Sequence, residues 1–145
     1  MDGASVDKAA LDNLDKVRGL FKVVPVFGSA WWQHADNVFH QDIAVHLPSC
    51  LPYGGSHRGL ENFQSLMATL VTYWENLDLS GFEFTVGESL VTVSFRLSAD
   101  SIKTGKNLSI PFIEMWRFSD GKVEEITAFY WDTHKTLDCL GNLGE

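Results

Sequence analysis

Residues 110–132 read IPFIEMWRFSDGKVEEITAFYWD, which is the strongest indication of the fold in this chain. Asp120 and Gly121 form the two-residue turn that best closes a β-hairpin, because both positions favour positive φ. Apolar and polar side chains alternate on both sides of the turn, which is typical of paired strands. We therefore predict two antiparallel strands, over about 107–118 and 122–132.

The turn also predicts how these two strands pair. With Ser119 opposite Lys122, Arg117 lies opposite Glu124, and the opposite charges of that pair favour this register. Continued along the strands, the register predicts that the face of Glu114 is shared by Phe112, Trp116, Phe129 and Trp131. The other face of the hairpin then holds Ile113, Met115, Ile126, Ala128 and Tyr130.

Upstream of the hairpin, the apolar pattern has the period of helices first and of strands later. Helical spacing predicts helices within about 5–40 and 60–76, the first beginning at an N-cap on Ser5 and the next at Ser29, continuing through Phe39. Residues 48–59 are rich in turn formers and predict a loop. Period-two alternation predicts strands over about 42–48, 81–87 and 89–98. This order indicates one α+β domain spanning residues 1–145, a curved sheet wrapped around about three helices.

Composition limits the classes of partner. The 145 residues carry a formal net charge of −8, and no run of Lys or Arg forms a basic stripe. This balance argues against nucleic acid and against an anionic membrane surface. Cys50 and Cys139 are the only cysteines and have no metal-binding spacing; we expect reduced thiols in a soluble, cytoplasmic protein. Among the five histidines there is no HExxH motif, so we predict no metal.

Glu114 is the first candidate for chemistry. It lies between Phe112 and Trp116 on the apolar face predicted for the hairpin, where burial should raise the pKa of its carboxyl group. A carboxyl group with a raised pKa can act as a general acid or donate a hydrogen bond to a developing oxyanion. Alternatively, Glu114 only accepts hydrogen bonds from neighbouring side chains and fixes the fold.

Asp132 and His46 are the candidate bases. Asp132 ends the last predicted strand, where it either reaches a pocket mouth or caps a short C-terminal helix. Strict alternation places it on the face opposite to Glu114, so the two share a pocket only if a β-bulge intervenes. His46 stands between Val45 and Leu47 and can act as a base near neutral pH, or it can be a structural residue with satisfied hydrogen bonds.

Four segments together resemble a known family. They are FHQDIAVHLP at 39–48, PYGGSHRG at 52–59, IEMWRFSDGKV at 113–123 and YWDT at 130–133. Their order is similar to the SnoaL-like branch of the nuclear transport factor 2-like superfamily, which includes ketosteroid isomerase, polyketide cyclases and dehydratases. The resemblance extends over nearly the whole chain from about residue 30. It implies a cone-shaped, cystatin-like fold with a mixed sheet around an interior pocket.

The resemblance also implies roles for single residues. The isomerase's general-base aspartate would fall on Leu47, which cannot accept a proton, whereas its acidic oxyanion donor is similar in place to Glu114. Trp131 resembles the pocket tryptophan of the last strand. Asp132 resembles the late-strand aspartate that serves as acid and base in SnoaL-like cyclases.

These features predict a protein with a pocket for a small apolar ligand. The leading hypothesis is a proton-transfer enzyme of the isomerase, cyclase or dehydratase type, without a cofactor, acting on an apolar oxygenated substrate. Glu114 would be the acid or oxyanion donor, and His46 or Asp132 the base. The residues expected to bind the substrate are Trp116, Phe112, Trp131, Tyr53 and Phe129. The rival hypothesis is a non-catalytic ligand-binding or assembly module, and both predict a homodimer formed through the outer face of the sheet.

Overall fold

The computed structural model describes residues 7–22 and 37–142. In chain order the elements are α1 (Lys8–Phe21), β1 (Phe39–Leu47), β2 (Gly55–Arg58), α2 (Leu60–Tyr73), β3 (Trp74–Val86), β4 (Leu90–Ser101), β5 (Asn107–Ser119), β6 (Lys122–Tyr130) and α3 (Thr133–Leu140). The six strands form one sheet in the order β2-β1-β6-β5-β4-β3. β1 pairs with β6 in parallel, and the other pairs are antiparallel. The predicted α+β class and mixed sheet are confirmed.

Helices α1 and α2 pack against the sheet and bury its inner face. α1 contacts β3 and β4, while α2 contacts β1, β2 and β3. The apolar stripe of α1 contributes Val17, Leu20 and Phe21 to the core. Burial of such aliphatic and aromatic side chains contributes about 1.5–3 kcal/mol each, which is the main source of the fold's stability. None of the helices among the described residues is long and apolar enough to span a membrane.

Several predicted boundaries are wrong or lie outside the described residues. The cap of α1 is Asp7, whose side chain accepts from the backbone N–H of Ala10 at 2.8 Å; Ser5 lies outside the described residues. The helix predicted from Ser29 lies mostly in the undescribed range 23–36. Its predicted end is wrong, because Phe39 already belongs to β1 and pairs with Val123 of β6.

The sheet is longer than the alternation indicated. The predicted loop at 48–59 contains the short edge strand β2, and α2 ends at Tyr73 rather than near residue 76. β3 begins at Trp74, which pairs with Ser101 of β4, whereas the prediction began this strand at about residue 81. The pairing with β4 shifts in register between Glu75 and Asp78 and again between Ser80 and Glu83. These irregularities interrupt the period-two pattern, which hid the first half of the strand.

The hairpin confirms the turn and corrects the register beyond it. Ser119 pairs with Lys122 and Phe118 with Val123 as predicted, but Arg117 pairs with Glu125 rather than Glu124. Glu124 is therefore an extra residue, a β-bulge. Because side chains alternate between faces, one extra residue moves every later side chain of β6 to the opposite face.

The bulge reverses the two predicted faces of β6. The side chains that point inward with Glu114 are Ile126, Ala128 and Tyr130, since Trp116 pairs with Ile126, Glu114 with Ala128 and Phe112 with Tyr130. The prediction that Phe129 and Trp131 share the face of Glu114 is wrong. Phe129 is 48% exposed and Trp131 is 78% exposed.

Candidate functional site

A cavity of about 150 Å³ lies between the inner face of the sheet and α2. A cavity of this size can hold a molecule with one aromatic ring. Its wall reaches the protein surface at Val71 of α2, whose side chain lines the cavity yet is 46% exposed. The remaining lining is almost entirely aliphatic and aromatic; it includes Val45, Leu66, Met67, Leu70, Leu77, Leu79, Phe95, Leu97, Phe112, Trp116, Ile126 and Ala128.

Among the described residues that line the cavity, Glu114 is the one carboxylate. It occupies the inner face of β5, where its neighbours across the sheet are Val93 of β4 and Ala128 of β6. Its Oε1 accepts a hydrogen bond from Trp116 Nε1 at 2.9 Å. Its Oε2 has no hydrogen-bond donor among residues 7–22 and 37–142. One carboxylate oxygen is thus held by the protein, while the other is available to a ligand.

The surroundings of Glu114 make its charged form costly. Burial raises the pKa of the Glu114 carboxyl group to about 7, and the hydrogen bond from Trp116 offsets part of that rise. The physical cause is the loss of hydration around the carboxylate in an apolar cavity. At neutral pH, therefore, the carboxyl group is close to half-protonated and can either donate or accept a proton.

Tyr130 is the second polar group of the cavity. Its hydroxyl lies 3.2 Å from the hydroxyl of Tyr53, which in turn accepts from Trp74 Nε1 at 3.0 Å. Burial raises the pKa of both phenols, and for Tyr130 the nearby Tyr53 and Glu114 add to the effect. Both phenols therefore stay neutral. If Tyr53 donates to Tyr130, the proton of Tyr130 can point into the cavity; if Tyr130 donates, its oxygen keeps a lone pair for a ligand.

The sequence did not identify Tyr130 as a site residue, and it predicted Trp74 only as part of a helical stripe that forms core or cavity wall. Tyr130 was placed on the outer face because the bulge at Glu124 was not anticipated, and Trp74 was assigned to a helix. A signal for the bulge was present: buried Val123 and Ile126 are three residues apart on a strand, with two adjacent glutamates between them. A strand with strict alternation would bury residues an even number apart.

His46 lies outside the cavity, on the outer face of β1. Its Nδ1 is 2.7 Å from Ser56 Oγ on β2, and its Nε2 is 2.8 Å from Glu125 Oε2 on β6. Arg117 Nε approaches the other oxygen of Glu125 at 3.7 Å. His46 is thus held by two polar neighbours, whereas the adjacent Val45 and Leu47 line the cavity.

Asp132 caps a helix. Its Oδ1 accepts from the backbone N–H of Lys135 at 2.8 Å, and its backbone carbonyl accepts from Thr136. The bulge that would allow Asp132 to share the face of Glu114 exists, but β6 ends at Tyr130 and Asp132 is the N-cap of α3. It is not among the residues that line the cavity.

The structure therefore brings together only part of the predicted site. Glu114, Phe112 and Trp116 line the cavity, and Tyr53 adjoins it through Tyr130. His46, Asp132, Phe129 and Trp131 lie elsewhere. Among the described residues, no three His, Cys, Asp or Glu side chains are grouped so that they could hold a metal ion.

Solved structures share this fold at low sequence identity. A candidate SnoaL-like polyketide cyclase from Jannaschia sp. CCS1 aligns with a TM-score of 0.82 at 17% identity, covering 97% of this chain and 99% of that one. A nuclear transport factor 2-like protein from Burkholderia xenovorans LB400 aligns with a TM-score of 0.79 at 19% identity over 90% of this chain and 97% of its own. TerC, crystallised with polyporic acid, aligns with a TM-score of 0.77 at 17% identity over 90% of this chain and 98% of its own.

The sequence itself identifies the family. No curated protein sequence matches this chain significantly. The model of the SnoaL-like domain, however, matches residues 17–126, which begin in the last part of α1, end in β6 and include most of the cavity lining. The chain belongs to the SnoaL-like domain family.

Proposed function

We propose that the protein binds a small, apolar, oxygenated molecule in the cavity and moves a proton on it through Glu114. The observation that carries this proposal is a single carboxyl group with a pKa near 7, one of whose oxygens is open to an otherwise apolar cavity. A group whose pKa lies near the working pH is the most effective general acid or base. Tyr130 supplies a neutral hydrogen-bond donor in the same cavity.

The step that these two groups support is proton transfer next to a carbonyl group. Ionised Glu114 removes a proton from the carbon beside the ligand's carbonyl, and the C–H electron pair becomes the C=C bond of an enolate. The carbonyl electron pair moves to oxygen, where the hydroxyl of Tyr130 donates a hydrogen bond. When the ligand also carries a C=C bond conjugated with the enolate, Glu114 returns the proton to the far carbon of the conjugated system, so that the double bond moves and the net reaction is an isomerisation that consumes no co-reactant.

This proposal assigns both proton transfers to one residue. The two bases considered from the sequence do not line the cavity: His46 is bound to Ser56 and Glu125 on the outer face, and Asp132 caps α3. Among the described lining residues, Glu114 is the group that can accept and return a proton near neutral pH. The similarity to a candidate polyketide cyclase, and to TerC crystallised with polyporic acid, supports a small organic ligand.

Hydrogen–deuterium exchange on a simple ketone tests the proton transfer without knowledge of the natural substrate. In D₂O, the protein should exchange the methyl protons of acetophenone, and Glu114→Gln should slow that exchange by at least about a hundredfold, because positioned general bases contribute about 10²–10⁴. The measurement is the loss of the methyl signal by proton NMR. Glu125→Gln, which removes a carboxylate on the outer face, is the matched control and should exchange at the parent rate.

The alternative function is a ligand-binding module without turnover. It predicts that acetophenone raises the melting temperature of the protein, while exchange is no faster with the parent chain than with Glu114→Gln. That outcome would sink the proton-transfer proposal and leave the cavity as a binding site. At neutral pH, the Glu114 carboxyl group is close to half-protonated, and this observation favours the enzyme over the alternative.

We also propose that two copies associate through the outer face of the sheet. The bulge changes which residues form this face: Ile113 pairs with Phe129 across β5 and β6, and these side chains are 42% and 48% exposed, next to Trp131. Adjacent exposed side chains of this size form an apolar patch that favours association. Ile126 and Tyr130, assigned to this surface from the sequence, point into the interior instead.

A charge placed in the patch should dissociate the dimer. Phe129→Lys should convert the parent dimer to monomer in sedimentation velocity at about 10 μM, because a lysine cannot be buried unpaired at an interface without a large cost in free energy. Leu11→Lys is the matched control, since Leu11 is 48% exposed on α1, away from this face. A parent chain that sediments as a monomer at this concentration would contradict the proposal.

A further inference from the structure

The described lining of the cavity combines one carboxylate with aromatic walls and includes no cationic side chain. Glu114 is flanked on β5 by Phe112 and Trp116, and the ring of Tyr130 lies 4.5 Å from that of Phe112. Phe95 of β4 stacks on Phe112 with ring centroids 5.1 Å apart. No Lys, Arg or His side chain belongs to the described lining. Within the part of the wall that the structure describes, the carboxylate therefore has no positively charged partner.

A site of this composition fits a small ligand that brings the missing positive charge. A carboxylate buried without a counter-ion is costly, and an ammonium group beside it would remove that cost. Faces of aromatic rings attract cations, and the attraction is stronger where water is excluded. The unengaged Oε2 of Glu114 and the hydroxyl oxygen of Tyr130 can both accept hydrogen bonds from an ammonium group, the latter when Tyr130 donates to Tyr53.

We propose that the cavity also binds small hydrophobic amines as ammonium ions, with the nitrogen between Glu114 Oε2 and the Tyr130 hydroxyl and the carbon skeleton against the aromatic walls. When a neutral amine meets protonated Glu114, the carboxyl proton moves to the amine nitrogen, and the product is a carboxylate–ammonium pair. Amine binding uses the same cavity, Glu114 and Tyr130 as the proposed function, but it needs no turnover and no carbonyl group on the ligand.

Amines and neutral ligands should respond to pH in opposite directions. Among the described residues, the titratable groups that face Glu114 are Tyr130 and, behind it, Tyr53. Burial raises the pKa of both phenols, so of these three groups Glu114 is the one that changes charge between pH 5 and 8. An alkyl amine, with a pKa of about 10 like that of lysine, stays protonated in this range. Binding of the ammonium ion requires ionised Glu114 and strengthens as pH rises, whereas a neutral ligand that displaces water favours the protonated form.

Calorimetric titration with three one-ring ligands tests this inference. Benzylamine should bind about 50-fold more tightly at pH 7 than at pH 5, since the ionised fraction of a group with a pKa near 7 rises by that factor. Toluene and acetophenone should bind more weakly, by up to about tenfold, at pH 8 than at pH 6. Glu114→Gln should remove the binding of benzylamine and its pH dependence while keeping toluene, which shows that the cavity is still formed.

The controls separate this inference from the proposed function. Glu125→Gln removes the same charge from the outer face and should leave benzylamine binding unchanged, which excludes general attraction to a protein of net charge −8. If toluene and acetophenone bind but benzylamine does not, or if Glu114→Gln still binds benzylamine, the amine inference is wrong and the proposed function stands. If none of the three ligands binds the parent chain, the cavity is inaccessible and both proposals fail.

Discussion

At alkaline pH, the Glu114→Gln variant should be more stable than the parent chain. The difference in free energy of unfolding between the variant and the parent should be about 3 kcal/mol larger at alkaline pH than at pH 4. The reason is the raised pKa of this carboxyl group, about 7 in the folded protein against 4.5 for an unburied glutamate. Each unit of pKa difference between the folded and unfolded states corresponds to about 1.4 kcal/mol. The variant has no titrating group at this position. As pH rises, therefore, only the parent chain should lose this part of its free energy of unfolding.

The sign of the effect follows from proton binding. Below about pH 4.5 the carboxyl group is protonated in both states, and Glu114 does not make the stability depend on pH. Between 4.5 and 7 the unfolded chain loses its proton while the folded protein keeps it, so the free energy of unfolding falls as pH rises. Above pH 7 both states are ionised, and the loss is complete.

Urea denaturation at pH 4, 7 and 9 measures the effect. The difference in the free energy of unfolding between the variant and the parent should grow across the series. Taking this difference at each pH cancels any constant cost of the amide group beside Trp116. Glu125→Gln serves as the control, because its carboxylate lies on the outer face beside His46 and Arg117. Parallel stability curves for Glu114→Gln and the parent chain would mean that Glu114 is not desolvated as its position indicates.

The local signals in the sequence predicted the turn between β5 and β6 correctly. Asp120 and Gly121 have φ values of 51° and 77°, as a two-residue hairpin turn requires. Such a turn depends on two residues alone, so composition is enough to identify it. The α+β class could be predicted as well, because the period of the apolar pattern depends on each element by itself.

The register beyond the turn could not be obtained from neighbouring charges. Residues 124 and 125 are both glutamate, so Arg117 finds an acidic partner in either register. The burial of apolar side chains decides between the two registers of β6. The observed pairing places Ile126, Ala128 and Tyr130 on the inner face, whereas the predicted pairing would have placed Phe129 and Trp131 there. That choice depends on the cavity, the helices and the neighbouring strands together, which no local pattern contains.

The candidate site, too, could be predicted only in part from the sequence. Glu114 could be identified because a carboxylate between Phe112 and Trp116 is unusual in a strand that reads as buried. The hydrogen-bonded series from Trp74 through Tyr53 to Tyr130 could not be identified from the sequence. Its members lie at the start of β3, in the loop after β1 and at the end of β6. Side chains this far apart in sequence come together only when the sheet has formed. His46 had the right chemistry for a base, but strand alternation turns it away from the cavity.

Deleting Glu124 together with Glu125 should abolish cooperative folding, because it shifts the register of β6 by one residue. The hairpin turn would hold Val123 in place, and Ile126 would follow it directly, in the position that Glu125 occupies in the observed pairing. Every later residue of β6 would then move to the opposite face. Ile126 and Tyr130 would leave the interior, and the outward-facing residues between them would enter it. Loss of burial costs about 1.5–3 kcal/mol for each large side chain and overpacking typically about 1–3 kcal/mol more, which together is comparable to the lower end of the stability of an ordinary domain.

The matched control is deletion of Glu124 alone, which removes the bulge and keeps every pair, because Glu125 then follows Val123 and already lies opposite Arg117. This variant should still unfold cooperatively in urea denaturation. The double-deletion variant should lose the near-ultraviolet circular dichroism of its packed aromatic residues and show no sharp thermal transition. A double-deletion variant that unfolds cooperatively with nearly the parent stability would show that β6 can shift its register freely. In that case the inward position of Tyr130, and with it the second polar group of the cavity, would not be specified by the pairing of β6 with β5.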